Sequence, residues 1–360
     1  MQDTTLSRWF APVMAFCLSF VMITTLAPTV GIQIDRQLDF WLLWLGTMFL
    51  LALPIGYLEI ALAKRSQTTA LQALSALTRD ADASPRWRVV GWLAVVFVPF
   101  FAGSVLTTAS GVVNQHVAAE LSSQIIFAIL AVIAFGLSFV PRQWLLALTA
   151  LSVVAAFILA NVVGTELPAW YWTSVEFKEW GNATVLALVA SGLGLGLYWQ
   201  SSLSEVKKQS AATTAVLPIW IAQLLAVIAF GFFSVQAQIP ALVWVLAAIV
   251  SSALLIQLAK EQLAQRQLAL VIQWAVIIAA IAVWFVQQLQ QFFNLGLMLW
   301  GLVICLIYAV FAGWVMKISH LRKAMGFSNE LFYNLWRIAV RLVLPISIVI
   351  AMIAVIGQII

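Results

Sequence analysis

Residues 191–202 read SGLGLGLYWQSS, with glycine at 192, 194 and 196, inside an apolar stretch long enough to cross a bilayer. Glycine in a helix interior is destabilising by about 0.5–1 kcal/mol relative to alanine, so three in five residues weaken this helix at its centre. Gly192 and Gly196 alone form a small-xxx-small pair that lets two helices approach closely. Gly194 lies about 200° round the helix from either neighbour and does not share that face. The alternation therefore admits two readings, a packing face or an unwound segment, and the surrounding sequence has to separate them.

Hydrophobic residues fill 64% of the 360 positions and charged residues only 9%, and the mean hydropathy is +1.05. Such a chain folds in lipid rather than in water. Eleven apolar segments match the roughly 30 Å that a helix must cross. They span 10–31, 40–63, 89–113, 123–140, 144–163, 183–203, 214–235, 240–259, 268–288, 295–316 and 331–357. The expected class is an all-α polytopic membrane protein with a single transmembrane domain over 1–360. Lysine and arginine collect on the cytoplasmic side of a membrane protein. With the amino terminus inside and eleven crossings, all of the 18 basic residues except Arg36 and Lys178 fall on that side. The net charge of +5 is thus a topology signal, expected of a bacterial inner-membrane protein with its carboxyl terminus outside, and not a nucleic-acid footprint.

Cys17 and Cys305 both fall in apolar spans, where free cysteine acts as a small hydrophobe, so no disulfide or metal framework is implied. The first span is longer than a signal-peptide core and is expected to be retained. The loop 64–88 carries leucines at 71, 74 and 77, a spacing suited to an amphipathic helix on the membrane surface. Trp170, Tyr171, Trp172 and Trp180 in the outer loop suit the headgroup layer.

Within lipid, helix-breaking sequence is tolerated only where protein or a watery cavity satisfies the freed backbone. Secondary transporters place such breaks at corresponding positions of two repeats and bind solute there. Five spans before SGLGLG, the first span offers TTLAPT (24–29), in which Pro28 removes an amide hydrogen and crowds the preceding turn. A five-plus-five inverted repeat would then place spans 1–5 at 10–163 and spans 6–10 at 183–316, leaving 331–357 as an extra eleventh helix, with helices 1 and 6 discontinuous.

Several stretches, in order, resemble the neurotransmitter:sodium symporters, whose fold is that of the leucine transporter. LPIGYLEIALAKR (53–65) resembles the end of the family's second helix and WRVVGWLAVVFVPFFAGS (87–104) the start of the third. SGLGLGLYWQSSLSEVKK (191–208) is similar to the unwound sixth helix with its basic exit, AAIVSSALL (247–255) to the eighth, and FYNLWRIAVRLVLPISI (332–348) to the last. The resemblance implies a site built from Thr24, Thr25 and Pro28 of the first helix, Ser104 of the third, and Gly192, Gly194, Gly196 and Tyr198 of the sixth. It places Glu59 as the acid that accepts the freed amides of the sixth helix. Read without it, Glu59 reaches the interface beside Lys64 and Arg65.

The sodium ligands of that family are eroded in this chain. Its Gly-Leu-Gly-Asn run is replaced by TTLAPT, the gate arginine is absent from VGIQI, and Val250 stands where a threonine hydroxyl would be. Gln223, Ser251 and Ser252 remain as candidate ion ligands or braces, and Leu106 stands where the family has a substrate-binding tyrosine. No cofactor is expected, and sodium only through this depleted set. The first span has no aspartate, which favours amino acids or related zwitterions over monoamines as the solute. An intramembrane enzyme would need a nucleophile with its base, or metal ligands, at mid-depth. His116 and His320 sit at opposite ends of the spans and no HExxH motif occurs. The expectation is a secondary transporter, with two alternatives: a sodium-independent carrier, in which a proton would run through Glu59, or a non-transporting subunit that binds solute or a partner.

Overall fold

A computed structural model describes residues 3–30, 37–68, 70–117, 119–163, 169–199, 211–234, 239–316 and 318–358. Residues 200–203 of the expected sixth span, its basic exit at Lys207 and Lys208, and Arg36 and Lys317 lie outside the described residues. Apart from one bridge between Gln37 and Tyr171, the described secondary structure is helical. The helices are α1 (Asp3–Leu26), α2 (Leu38–Ser66), α3 (Ala70–Asp80), α4 (Val89–His116), α5 (Ser123–Leu137), α6 (Arg142–Val163) and α7 (Phe177–Leu188). After the glycine segment come α8 (Thr213–Ile228), α9 (Ala241–Ala264), α10 (Leu270–Ala282), α11 (Gln290–Val310) and α12 (Glu330–Ile356). Among the described residues, eight helical stretches are long and apolar enough to span a bilayer, which makes this a multi-pass membrane protein.

The lengths depart from expectation in places. α5 has 15 residues and α10 has 13 before a 3₁₀ turn at Val283–Phe285, short of the 20 or so that cross a bilayer unaided. α5 stops because the chain turns at 138–140 ahead of Pro141, which disfavours helical geometry in the residue before it. The first helix also corrects the reading of TTLAPT. α1 runs unbroken through Thr24 and Thr25 to Leu26, and Pro28 sits exposed in the turn 27–30 that follows. Proline one or two residues past a helix end is a stop rather than a kink. Similarly, Leu74 and Leu77 of α3 are buried against the bundle, where α3 packs on α2 and α4, instead of facing lipid headgroups.

α4 and α9 form the centre, packed on each other. α4 also takes α10 and α11, while α9 takes α5 and α6. Beside this group, α1 packs on α8 and α2 on α7, and α12 covers α7 and α11. Lipid is as apolar as a side chain, so these contacts rest on close packing of small residues rather than on expulsion of water. At Gly103 of α4 an added Cβ would overlap the indole of Trp284 from the end of α10. Near the start of α2, Trp41 stacks on Trp44 with centroids 5.1 Å apart, and Phe230 beyond α8 lies 6.3 Å from each.

Among the described residues, four π-helical turns interrupt the spans, at Met48–Ala52, Ala229–Ser234, Phe311–Val315 and Ala339–Val343. Each inserts a residue into the α ladder and leaves backbone groups to be satisfied from outside. The Met48 carbonyl, for instance, accepts the indole N–H of Trp220 at 3.0 Å. Because Gly103 admits no side chain beneath Trp284, Gly103→Ala is expected to cost about 1–3 kcal/mol. It should lower the thermal unfolding midpoint of detergent-solubilised protein, whereas Gly111→Ala, where a Cβ has open space, should not.

Candidate functional site

The site grows from the way α7 begins and fails to continue. Its start is fixed by a capping box in which the Glu179 carboxylate accepts the Glu176 amide at 2.8 Å and the Glu176 side chain returns the contact. Regular helix ends at Leu188. Wider turns follow, with the Ala190 amide donating to Val185 O at 3.2 Å and the Leu193 amide to Leu188 O at 3.1 Å. Then Gly192, Gly194 and Gly196 take φ of 65°, 81° and 67°, the left-handed region that glycine enters without a Cβ penalty. An added Cβ would lie 2.7 Å from the Tyr198 hydroxyl at Gly192 and 2.9 Å from Ile304 at Gly194. Both conformation and space thus select glycine here, and the unwound reading of SGLGLG is the one the geometry adopts.

The Gly194 and Gly196 amides turn to one side, forming a concavity that suits an acceptor. Glu59 of α2 supplies the acceptor. Its Oε1 accepts the Gly196 amide at 3.4 Å and its Oε2 the Trp199 indole N–H at 3.4 Å, and the Gly194 amide is also directed at it. The interfacial reading does not describe it, since Arg65 pairs with Asp80 at 3.5 Å instead.

The carbonyls of the intervening residues are taken from three other helices. Ser191 O accepts Gln223 Nε2 of α8 at 2.8 Å and the Tyr198 hydroxyl at 2.9 Å. Leu193 O accepts the Cys305 thiol of α11 at 3.5 Å, and Leu195 O accepts Gln262 Nε2 of α9 at 2.9 Å. The Tyr198 ring folds back over Gly192 so that its hydroxyl also lies 3.3 Å from Ser19 Oγ of α1. Five helices therefore meet on this one segment: α1, α2, α8, α9 and α11.

The residues nominated from sequence divide into two groups. Glu59, Gly192, Gly194, Gly196, Tyr198 and Gln223 are brought together here. Gln223 donates its amide to Ser191 O of the segment, a bond of the kind a brace makes. Of the others, Thr24, Thr25, Ser251 and Ser252 make their side-chain bonds elsewhere. Thr24 and Thr25 each donate to Val21 O at 2.8 Å, and Thr24 also accepts Trp244 Nε1 at 3.2 Å, the ordinary behaviour of hydroxyls in helices. Pro28 is exposed beyond α1. Ser104 is buried in α4. Ser251 donates to Ala247 O in its own helix, and Ser252 bonds Ala102 O of α4 at 3.5 Å. Val250, between Ile249 and Ser251, carries no side-chain oxygen.

Sequence reading missed Ser19, Gln262 and Cys305. A glutamine near the end of an apolar span, such as Gln262, is a detectable signal, because a buried amide at that depth needs a partner.

No protein-family model and no curated protein matches the chain. Among solved structures it is similar to MhsT in complex with L-phenylalanine. The TM-score is 0.53 at 14% identity, over 96% of this chain and 98% of the other. That likeness establishes the fold alone.

Glu59→Ala should leave two buried amides and an indole without an acceptor, at about 1–3 kcal/mol for each orphaned group. A drop of several degrees in the thermal midpoint of the purified protein is expected. Glu59→Gln, which keeps one acceptor oxygen, should fall between the two. An unchanged midpoint for Glu59→Ala would show that the carboxylate does not hold the segment.

Proposed function

We propose that the chain is a secondary transporter of amino acids or related small organic solutes, acting across the cytoplasmic membrane through a site at the glycine segment. The observation that carries this reading is a helix unwound at membrane depth, gripped by a buried carboxylate, in a fold shared with a protein whose structure contains L-phenylalanine. An unwound segment at depth is otherwise an unfavourable way to build a span, and substrate sites are where transporters use one.

The packing supports an eleven-span, five-plus-five arrangement. Counting α1, α2, α4, α5 and α6 as spans one to five, and α7 to α11 as six to ten, the contacts fall into pairs that an inverted repeat would exchange. Span one on seven matches six on two, three on nine matches eight on four, and three on ten matches eight on five. One on five matches six on ten, and three on eight maps onto itself. The same contacts group spans one, two, six and seven, the set expected to rock against three, eight and their neighbours to alternate access. The basic residues orient this arrangement with the amino terminus in the cytoplasm of a bacterial cell.

The depleted cation ligands favour transport that does not need sodium. One observation favours the second reading, a non-transporting solute-binding or partner subunit: the freed carbonyls at 191, 193 and 195 are already occupied by protein side chains, and Tyr198 lies across the segment. For a carrier, Tyr198 must swing off Ser191 to admit a solute.

Reconstitution into liposomes, with labelled amino acids including L-phenylalanine and with sodium, potassium or proton gradients imposed in turn, separates these readings. Accumulation without sodium is expected, with Tyr198→Phe altering KM because the hydroxyl's anchors at Ser191 and Ser19 are lost. Proton-driven accumulation that Glu59→Gln makes insensitive to pH would assign the proton to that carboxylate. Saturable binding with no accumulation under any gradient would replace the transporter by the subunit.

A further inference from the structure

At the end of the bundle where α2 gives way to α3, a pocket of about 560 Å³ opens between α3 and the turn 265–267 that joins α9 to α10. It is separate from the glycine segment and lies outside the apolar spans, at the end proposed above to face the cytoplasm. Its size falls within the roughly 300–1,000 Å³ typical of small-molecule sites. Its chemistry is the reverse of the bundle's. Among the described residues that line it, Ala76 alone is apolar and none is aromatic. Gln72 Nε2 of α3 donates to Gln265 O at 2.6 Å, tying one wall to the other.

Each wall brings a guanidinium to the lining. Arg79 of α3 is exposed, while Arg266 in the turn is half-buried and lies over the Trp92 ring at 4.9 Å. Burial pulls Arg266 below the ordinary arginine range, a cost to its charge that a bound anion offsets. The lining also holds an acid, Asp80, which faces Arg65 at 3.5 Å. Asp80 and Arg65 balance, so the pocket keeps two positive charges, one on each wall. Gln72, Gln265 and Gln267 add side-chain amides that both donate and accept.

We propose that this pocket binds a small phosphorylated polyol, its phosphate between Arg79 and Arg266 and its hydroxyls on the glutamine amides and Asp80. Two positive charges match a dianion better than a monoanion, and a planar guanidinium meets phosphate oxygens two at a time. The described lining offers neither a ring for a nucleobase to stack on nor an apolar track for an acyl chain, which sets a nucleotide and a lipid behind a polyol. A ligand held by both guanidinia pins α3 to the α9–α10 turn, adding to the bond at Gln265 O.

The test uses the full chain in phosphatidylcholine nanodiscs, titrated by calorimetry with sorbitol phosphate, sorbitol and inorganic phosphate. Saturable binding of sorbitol phosphate is expected, with inorganic phosphate weaker and sorbitol silent. The thermal unfolding midpoint should rise with sorbitol phosphate concentration. Arg79→Gln and Arg266→Gln should each weaken binding about tenfold, the worth of one charged hydrogen bond. Arg86→Gln, exposed and outside the lining, should leave it unchanged. Arg79 is exposed, so its variant still tests the proposal if Arg266→Gln, which gives up the Trp92 contact, does not fold. No saturable binding of sorbitol phosphate, undiminished binding by Arg79→Gln, or equally tight binding of succinate would each overturn it. Retention of phosphatidylglycerol through purification that Arg79→Gln abolishes would assign the phosphate to a lipid headgroup and overturn it as well.

Discussion

The contact between Glu59 and the backbone of the glycine segment is the constraint around which the rest of the bundle is arranged. A charged or polar group in hydrocarbon must be answered from within the protein, and here two such liabilities answer each other. The segment offers amides with no helical partner; the carboxylate offers lone pairs with no water. Alternate glycines make the match possible, because Gly194 and Gly196 turn their amides toward α2 while Ser191, Leu193 and Leu195 turn their carbonyls toward α8, α11 and α9. A Cβ at 192 or 194 would remove both the conformation and the room.

This arrangement explains polar residues that otherwise look misplaced. Gln223 and Gln262 are almost fully buried in apolar helices, and each spends a side-chain amide on one carbonyl of the segment. Cys305, a poor donor, serves the third. The segment is therefore a hub: its geometry is set by α2 on one side and by three helices on the other. In the rocking proposed above, α2 and α8 travel with the segment while α9 and α11 belong to the other body, so the bonds at Leu195 O and Leu193 O are the ones that would change.

Fold class was legible because composition and span length report directly on the solvent, and because glycines at 192, 194 and 196 need no partner to be noticed. Glu59 was legible only through the family resemblance, since its residue-level reading sent it to the interface beside Lys64 and Arg65. What could not be read was the direction of hydroxyls and amides. Thr24, Thr25 and Ser251 stand at plausible depths, yet each closes a bond to a carbonyl in its own helix, an outcome set by rotamer and not by position. Pro28 misled for a related reason. A proline signals a break, but whether it interrupts a helix or ends one depends on where the helix started, and α1 begins early enough to finish before it.

The satisfied state of the segment bears on how a solute would be accommodated in the proposed carrier. The Gly194 and Gly196 amides are committed to Glu59 and those of Gly192 and Leu193 to the preceding turn, so a solute carboxylate that takes the former must displace the acid. Tyr198 is the more readily released element. It is tethered by a single hydroxyl between Ser191 O and Ser19, and moving its ring from Gly192 would uncover both of those groups while leaving Gln223 to hold the carbonyl. The space vacated lies between α1 and the unwound turn, against the helices proposed to rock together. On this view the glycines serve twice: they let the backbone reach Glu59, and their missing side chains provide the recess that the Tyr198 hydroxyl now fills.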